Sequence, residues 1–273
     1  MPELPEVEIL KNQLNERVKG KKIVDVSIPH LKRWPDFPAE DFKAAVTGGV
    51  VERVERKGKM LLIGLDNGNS LLIHLMMAGQ IIQTDGPARV EKNNELILPL
   101  SDGSRLWINN LALQFVHFGT REQVETLPQL EKLGVDPCSE TFTLSLFKEK
   151  LRRRRGQVKS LLLNQGFIAG LGSIYGDELL FNAGIRPDRG VDTLSDKEKE
   201  TLYHSIRQTL QQGLDAGGAS EFAFVQLDGS EGSFQEHFKV NRRQGKPCLE
   251  CGTAIEKIKI SGRGTYFCPG CQH

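Results

Sequence analysis

The first eight residues, Met1-Pro-Glu-Leu-Pro-Glu-Val-Glu8, crowd three carboxylates and two prolines into one short stretch. Removal of Met1, the usual fate of a methionine before a small residue, would leave a free secondary amine on Pro2. An α-amine has a pKa of about 8, against about 10.4 for lysine, so part of it is unprotonated at neutral pH. Such an amine can attack an electrophilic carbon and form a Schiff-base-type adduct. Glu3 lies beside it as a proton donor. Pro5 suits the first turn of a helix, and Glu6 and Glu8 suit that helix's positive end. Taken alone, the same residues also describe a plain acidic helix start.

A second set of chemistry-bearing residues closes the chain. Cys248-x2-Cys251 and Cys268-x2-Cys271 stand 16 residues apart, the spacing of a four-thiolate zinc ribbon. Each knuckle places two sulfurs on one side of a tetrahedron, and the hairpin between them closes it. Four protein ligands leave no open position, so the expected zinc is structural. Four of the five cysteines fall in the last 26 residues, which argues for a metal site in a reducing compartment over a disulfide framework. Cys138 reads as a packing residue. From 239 to 263, seven cations (Lys239, Arg242, Arg243, Lys246, Lys257, Lys259, Arg263) face only Glu250 and Glu256. That excess suits phosphate; a solvated charged face is the alternative.

Periodicity supplies the elements that must position these groups. Val7, Leu10 and Leu14 recur at helical spacing until Gly20. Residues 22–118 read as short strands, among them Ile23 to Ile28, Val50 to Val54, Met60 to Leu65, Ser70 to His74, Leu96 to Leu100 and Leu106 to Ile108. Turn signals at Gly48-Gly49, Asp66-Asn67-Gly68 and Asp102-Gly103 separate them, as in a β-sandwich or flattened barrel. A linker-like segment covers 127–137. Beyond it the pattern is helical: Leu144, Phe147 and Leu151, then Arg152 to Arg155, then Val158, Leu161 and Leu162. Gly166, Gly170 and Gly172 precede a helix from about Ser173 to Ala183. Ser195 and Glu198 form a capping box that opens a long helix ending at Gly217-Gly218. The formal charge of the 273 residues is +1, so any nucleic-acid surface has to be local. No apolar run of about 18 residues predicts a membrane span, and the N-terminus has no signal pattern.

In combination these residues resemble the bacterial formamidopyrimidine-DNA glycosylase family. The resemblance is carried by MPELPEVE, by HLMMAG at His74 to Gly79 and by LGVDP at Leu133 to Pro137. KSLLLNQGFIAGLGSIYGDELLFNAGIRP from Lys159 to Pro187 and GRGTYFCPGCQ from Gly262 to Gln272 complete it. It implies an α+β fold: an N-terminal helix plus two-layer β-sandwich (1–130), a helix-two-turns-helix domain (131–238) and a zinc ribbon hairpin (239–273). It also implies removal of oxidised purines from double-stranded DNA, then cleavage of the abasic strand, in the bacterial cytoplasm, at the nucleoid; one zinc ribbon and no evident dimer motif make a monomer the expectation. Pro2 would attack the sugar's anomeric carbon, Glu3 would protonate the ring or leaving group, and Glu6 would hold the site electrostatically. Lys59 and Arg263 would contact the lesion phosphate and assist β- and δ-elimination. Met77 would wedge into the gap left by the flipped base. Arg154 and Lys159 would touch backbone phosphate, with Asn93 and Ser173 at further phosphate-contact positions.

The sequence also departs from the family pattern. Where an Asp-x-Arg-x-Phe-Gly segment is usual, this chain has Asn110, Leu111, Ala112, Leu113, Gln114 and Phe115. Asn93 replaces a common histidine and Ser173 a common asparagine, while Ala219 to Gln226 is more apolar than usual. A bidentate arginine–base contact is worth about 1–3 kcal/mol, so weaker preference for an opposite cytosine is expected. The endonuclease VIII branch, specific for oxidised pyrimidines, also lacks that arginine and phenylalanine, which in the family fill the void left by the flipped base. A non-catalytic damage-binding protein on the same scaffold is the remaining alternative.

Overall fold

The computed structural model describes residues 1–29, 38–86, 94–110, 116–221 and 223–273. They form two compact units, Met1–Glu131 with Ala216–Ser233, and Lys132–Asp215 with Phe234–His273.

In the first unit, helix α1 (Leu4–Arg17) begins with Pro5 in its first turn, where a proline forfeits no intrahelical bond. Helix α2 (Ala39–Val46) follows. Strands β1 (Val51–Lys57), β2 (Met60–Leu65), β3 (Asn69–His74), β4 (Gln80–Thr84), β5 (Asn94–Pro99), β6 (Arg105–Asn109) and β7 (Val116–Thr120) come next, and short helices α3 (Arg121–Glu125) and α4 (Pro128–Glu131) close the unit. The strands make two antiparallel sheets among the described residues, ordered β1-β2-β3-β7 and β4-β6-β5. Side chains two residues apart share a sheet face. Leu61 and Ile63, Leu71 and Ile73, Leu96 and Leu98, and Leu106 and Ile108 accordingly share one core with Val7, Leu10 and Leu14 of α1.

Two expectations change here. The stretch from Ile23 to Ile28 makes only isolated bridges, Ile23 to Leu100 and Ser27 to Ile97, and Val24 faces outward. Helix α2 lies where only strands were expected. Its Phe42 and Val46, one helical turn apart, enter the core, and Phe42 meets Phe118 edge-on at 5.3 Å.

The second unit holds α5 (Leu144–Leu151), α6 (Val158–Leu162), α7 (Ser173–Asn182), α8 (Asp196–Asp215) and the hairpin β8 (Glu256–Ile260) and β9 (Arg263–Phe267). Phe142, Phe147, Phe167 and Tyr203 pack ring to ring, with centroids 5.1–6.3 Å apart. Tyr175 stacks flat on Phe234 at 4.8 Å, and only a glycine at 213 leaves room for its hydroxyl. The chain was expected to divide into three domains, and the two units differ from that division in two respects. Ala216–Ser233 belongs with the sandwich, and the cysteine hairpin is of a piece with the helices. No described helix is long and apolar enough to cross a membrane.

Candidate active site and metal centre

The N-terminal segment is pinned inside the first unit by one carboxylate. Glu6 is buried; its Oε2 accepts the backbone N–H of Glu3 at 2.7 Å and its Oε1 that of Ala219 at 2.9 Å. Pro2 and Glu3 are buried as well, Glu3 to 3 % exposure. One helical face thus holds the chain start and the 216–233 segment together. Gln13, two turns further along α1, repeats the device: its amide donates to Gln226 Oε1 at 2.7 Å and accepts from Leu227 N–H at 2.9 Å. Gly218 has φ +85, and a Cβ there would press on Phe224 and Glu6, so this approach requires glycine. Gln13 carried no signal in the sequence beyond its place on the α1 face.

Lys59 sits in the turn joining β1 to β2 and is 7 % exposed, unlike an ordinary surface lysine. His74, paired with Met60 across the ladder, accepts the N–H of Met76 at its Nδ1 (3.0 Å). Burial, and next the Lys59 charge, hold the His74 pKa below the usual histidine value. The HLMMAG motif then turns tightly: Gly79 N–H donates to Leu75 O at 2.8 Å, and any Cβ at 79 would strike that oxygen. Met77 is presented at the turn, 64 % exposed, where a core methionine in a strand would have been hidden.

In the second unit the LGVDP motif seats the glycine-rich loop. Gly134 N–H donates to Gln165 O, Ala169 N–H donates to Val135 O, and a Cβ at 134 would collide with the backbone of Phe167. Ser173 is the first residue of α7, behind Gly172 as N-cap. Arg152, Arg153 and Arg154 line an open cavity of about 760 Å³ with Glu149 and Lys150, and the Arg154 guanidinium lies 5.7 Å over the Phe167 ring.

Lys159 is a correction. Its side chain is wholly buried, donating to Asp177 Oδ1 at 2.5 Å and Thr265 Oγ1 at 2.9 Å. An ammonium enclosed in this way does not reach a backbone phosphate. Asn241 Nδ2 donates to the other Asp177 oxygen at 2.9 Å, and burial pushes the Asp177 pKa up to about 7 against the opposing pull of Lys159. The neighbouring Glu178 accepts backbone N–H groups from Lys239, Val240 and Asn241 at 2.8–3.1 Å. Burial raises its pKa even so. The Asp-Glu pair inside an otherwise apolar helix was the sequence signal for both.

The four cysteine sulfurs lie within 4.8 Å of one another. Cys248 to Cys271 is 3.8 Å and Cys251 to Cys268 is 3.5 Å. A zinc–thiolate tetrahedron with bonds of about 2.3 Å has edges of about 3.8 Å, so the sulfurs fit zinc. A Cβ at Gly270 would lie 3.1 Å from Cys251 Sγ, which keeps that knuckle free of side chains. Gln272 braces the second knuckle, accepting from Cys268 N–H and donating to Ile185 O. Ser261 (φ +48) and Gly262 (φ +77) turn the hairpin, as a two-residue connection of mirror-image type requires. Arg263 follows the turn with its side chain exposed.

Three family models match in order: the formamidopyrimidine-DNA glycosylase N-terminal domain over residues 1–112, its H2TH domain over 133–224, and the zinc finger found in FPG and IleRS over 245–273. The chain is 39 % identical to the formamidopyrimidine-DNA glycosylase of Pelotomaculum thermopropionicum, over 100 % of this chain and 99 % of that one. It is 38 % identical to that of Geobacillus kaustophilus over all of both chains. The chain belongs to the formamidopyrimidine-DNA glycosylase family. Among solved structures it is similar to a Lactococcus lactis Fpg variant bound to DNA containing Fapy-dG (TM-score 0.90, 33 % identity, all of both chains). Similar too is the Lactococcus lactis Fpg complex with abasic-site DNA (TM-score 0.90, 32 % identity, 99 % of both chains).

The family frame gives the cysteine cluster its metal, one structural zinc. The stretch that departs from the family pattern opens at Asn110, whose φ of +51 suits asparagine. Asn93, Ala112 and the rest of 111–115 lie outside the described residues. His117 sits in β7 opposite Leu72 and is half-buried, which lowers its pKa.

Proposed function

We propose that this protein is a base-excision repair glycosylase acting on oxidised purines in duplex DNA and that it also cleaves the resulting abasic strand. The observation that carries the reading is the full-length family match, with the family's proline and glutamate heading a buried, doubly pinned helix. Solved relatives are complexes with Fapy-dG and abasic-site DNA, consistent with a damaged-duplex partner.

With Met1 removed, the Pro2 nitrogen donates its lone pair to C1′ of the damaged nucleotide. The C1′–N bond breaks, and the base leaves with the bonding pair and a proton supplied through Glu3. The C1′ ammonium so formed passes its proton through Glu3 to O4′, the C1′–O4′ bond breaks and the sugar ring opens. The Pro2 iminium that results acidifies C2′. Loss of a C2′ proton expels the 3′-phosphate, and a second elimination expels the 5′-phosphate. Lys59 supplies a cation for phosphate in the first unit, and Arg263, Arg154 and Ser173 serve the DNA backbone from the second. Met77 fills the space vacated by the extruded nucleotide. Glu6 acts by holding Glu3 and the 216–233 segment in register. Cytoplasmic, nucleoid-associated location follows from the substrate.

The test is release of free base from duplexes carrying 8-oxoguanine, a formamidopyrimidine or dihydrouracil, using protein whose N-terminal Pro2 has been verified by mass. Release of the purine lesions is expected; release of dihydrouracil alone would move the chain to the oxidised-pyrimidine branch. That branch stays in view for one observation: the Lactococcus lactis Fpg, 33 % identical, has been solved with DNA containing an oxidised pyrimidine.

A further inference from the structure

Arg263 stands at a bend that nothing in the zinc cluster itself fixes. Zinc anchors the far ends of the hairpin, through cysteines at 248, 251, 268 and 271, whereas the Ser261-Gly262 turn and Arg263 lie at the opposite end of β8 and β9. Two consecutive residues of α6 reach this tip. Ser160 Oγ is 2.8 Å from Ser261 Oγ, two residues before Arg263, and Lys159 Nζ donates to Thr265 Oγ1 at 2.9 Å, two residues after it. The Thr265 hydroxyl is also 3.5 Å from the Arg263 carbonyl oxygen.

Behind this contact lies a buried ion pair. Lys159 and Asp177 are both fully buried, Asn241 holds the second carboxylate oxygen, and Glu178 gathers three backbone N–H groups of the turn leading into the finger.

We propose that Lys159 and Ser160 are positioning residues for Arg263, clamping the hairpin tip on both sides so that its guanidinium is held ready for a DNA phosphate. The inference rests on the reading of Arg263 given above. A flexible arginine would have to be ordered on binding, and a preset tip removes that cost. Lys159 therefore serves DNA chemistry without touching DNA.

Lys159→Met alone would strand the Asp177 charge in the interior and could unfold the unit. The clamp is better opened with Ser160→Ala/Thr265→Val, which removes both hydroxyls and no charge, and independently with Lys159→Met/Asp177→Leu, which removes both charges together. Each is made with and without Arg263→Ala, and strand cleavage is timed on a preformed abasic duplex while bound zinc is counted. Opening the clamp is expected to slow cleavage about tenfold when Arg263 is present and less than about twofold in the Arg263→Ala background, with zinc retained. Equal losses in both backgrounds, or no loss with Arg263 in place, overturn the clamp. If Arg263→Ala alone leaves cleavage unchanged, the assignment of Arg263 has failed and the clamp falls with it.

Discussion

Replacing Glu6 by alanine removes the acceptor of two buried N–H groups, those of Glu3 and Ala219. Orphaning them should cost about 2–4 kcal/mol of unfolding free energy, read in urea. Base release should fall at least tenfold, on the order expected when a reacting group is misplaced. A variant with normal stability and normal base release would remove Glu6 from the account. Lys159→Met should be harsher on stability alone, by about 3–5 kcal/mol, because it leaves the Asp177 carboxylate buried without its partner. Residue chemistry was legible in the sequence where type and spacing define a geometry, as in the paired C-x2-C knuckles. It was not legible for Lys159, because a lysine in a basic stretch looks the same whether it faces solvent or an aspartate 18 residues further on. Long-range pairing decides that, and local pattern does not carry it.

At the scale of elements, the opening of α8 makes a pH prediction. Arg189, and to a smaller degree the Ser195 N–H and hydroxyl, hold the Glu198 carboxyl down to about 2. A depressed carboxylate adds stability that is present above its ordinary pKa and is lost as pH falls through the folded value. The contribution of Glu198 should therefore disappear between about pH 4.5 and 2, and Glu198→Gln should flatten that region of an acid unfolding curve. An unchanged curve would show that the Arg189 contact is screened away. The capping box itself was readable, since Ser-x-x-Glu before an apolar stripe has few other uses. Helix α2 was not read, although Pro38, Glu40 and Asp41 mark its start; eight residues between strand-like runs give too little periodicity to separate helix from strand. The cysteine hairpin gives the second prediction at this scale. Stripping zinc with a chelator should release the four thiols to a colorimetric reagent and abolish DNA binding together, because a closed four-thiolate site supplies folding energy directly. Full DNA affinity after complete metal loss would contradict it.

At the scale of the whole chain, the sandwich and the helical unit each followed from their patterns. The return of 216–233 to the first unit did not, because it depends on Glu6 and Gln13 contacts more than 200 residues away in sequence. Function at this scale is a matter of phosphate charge and base choice. Arg154→Ala should weaken binding to every duplex alike and reduce the salt slope of log Kd by about one; sequence- or lesion-selective weakening would give Arg154 another role. With Ala112 and its neighbours in place of the usual arginine and phenylalanine, discrimination for an opposite cytosine should be reduced, which competition between 8-oxoguanine duplexes with cytosine and with adenine opposite will read. The central claim is that Pro2 is the nucleophile, and its most direct test is borohydride trapping on 8-oxoguanine and abasic duplexes. Protein with a verified free Pro2 should give a covalent complex that Pro2→Gly weakens and that retention of Met1 abolishes. Tight DNA binding with no trapped complex would contradict the account and leave a damage-binding protein in place of an enzyme.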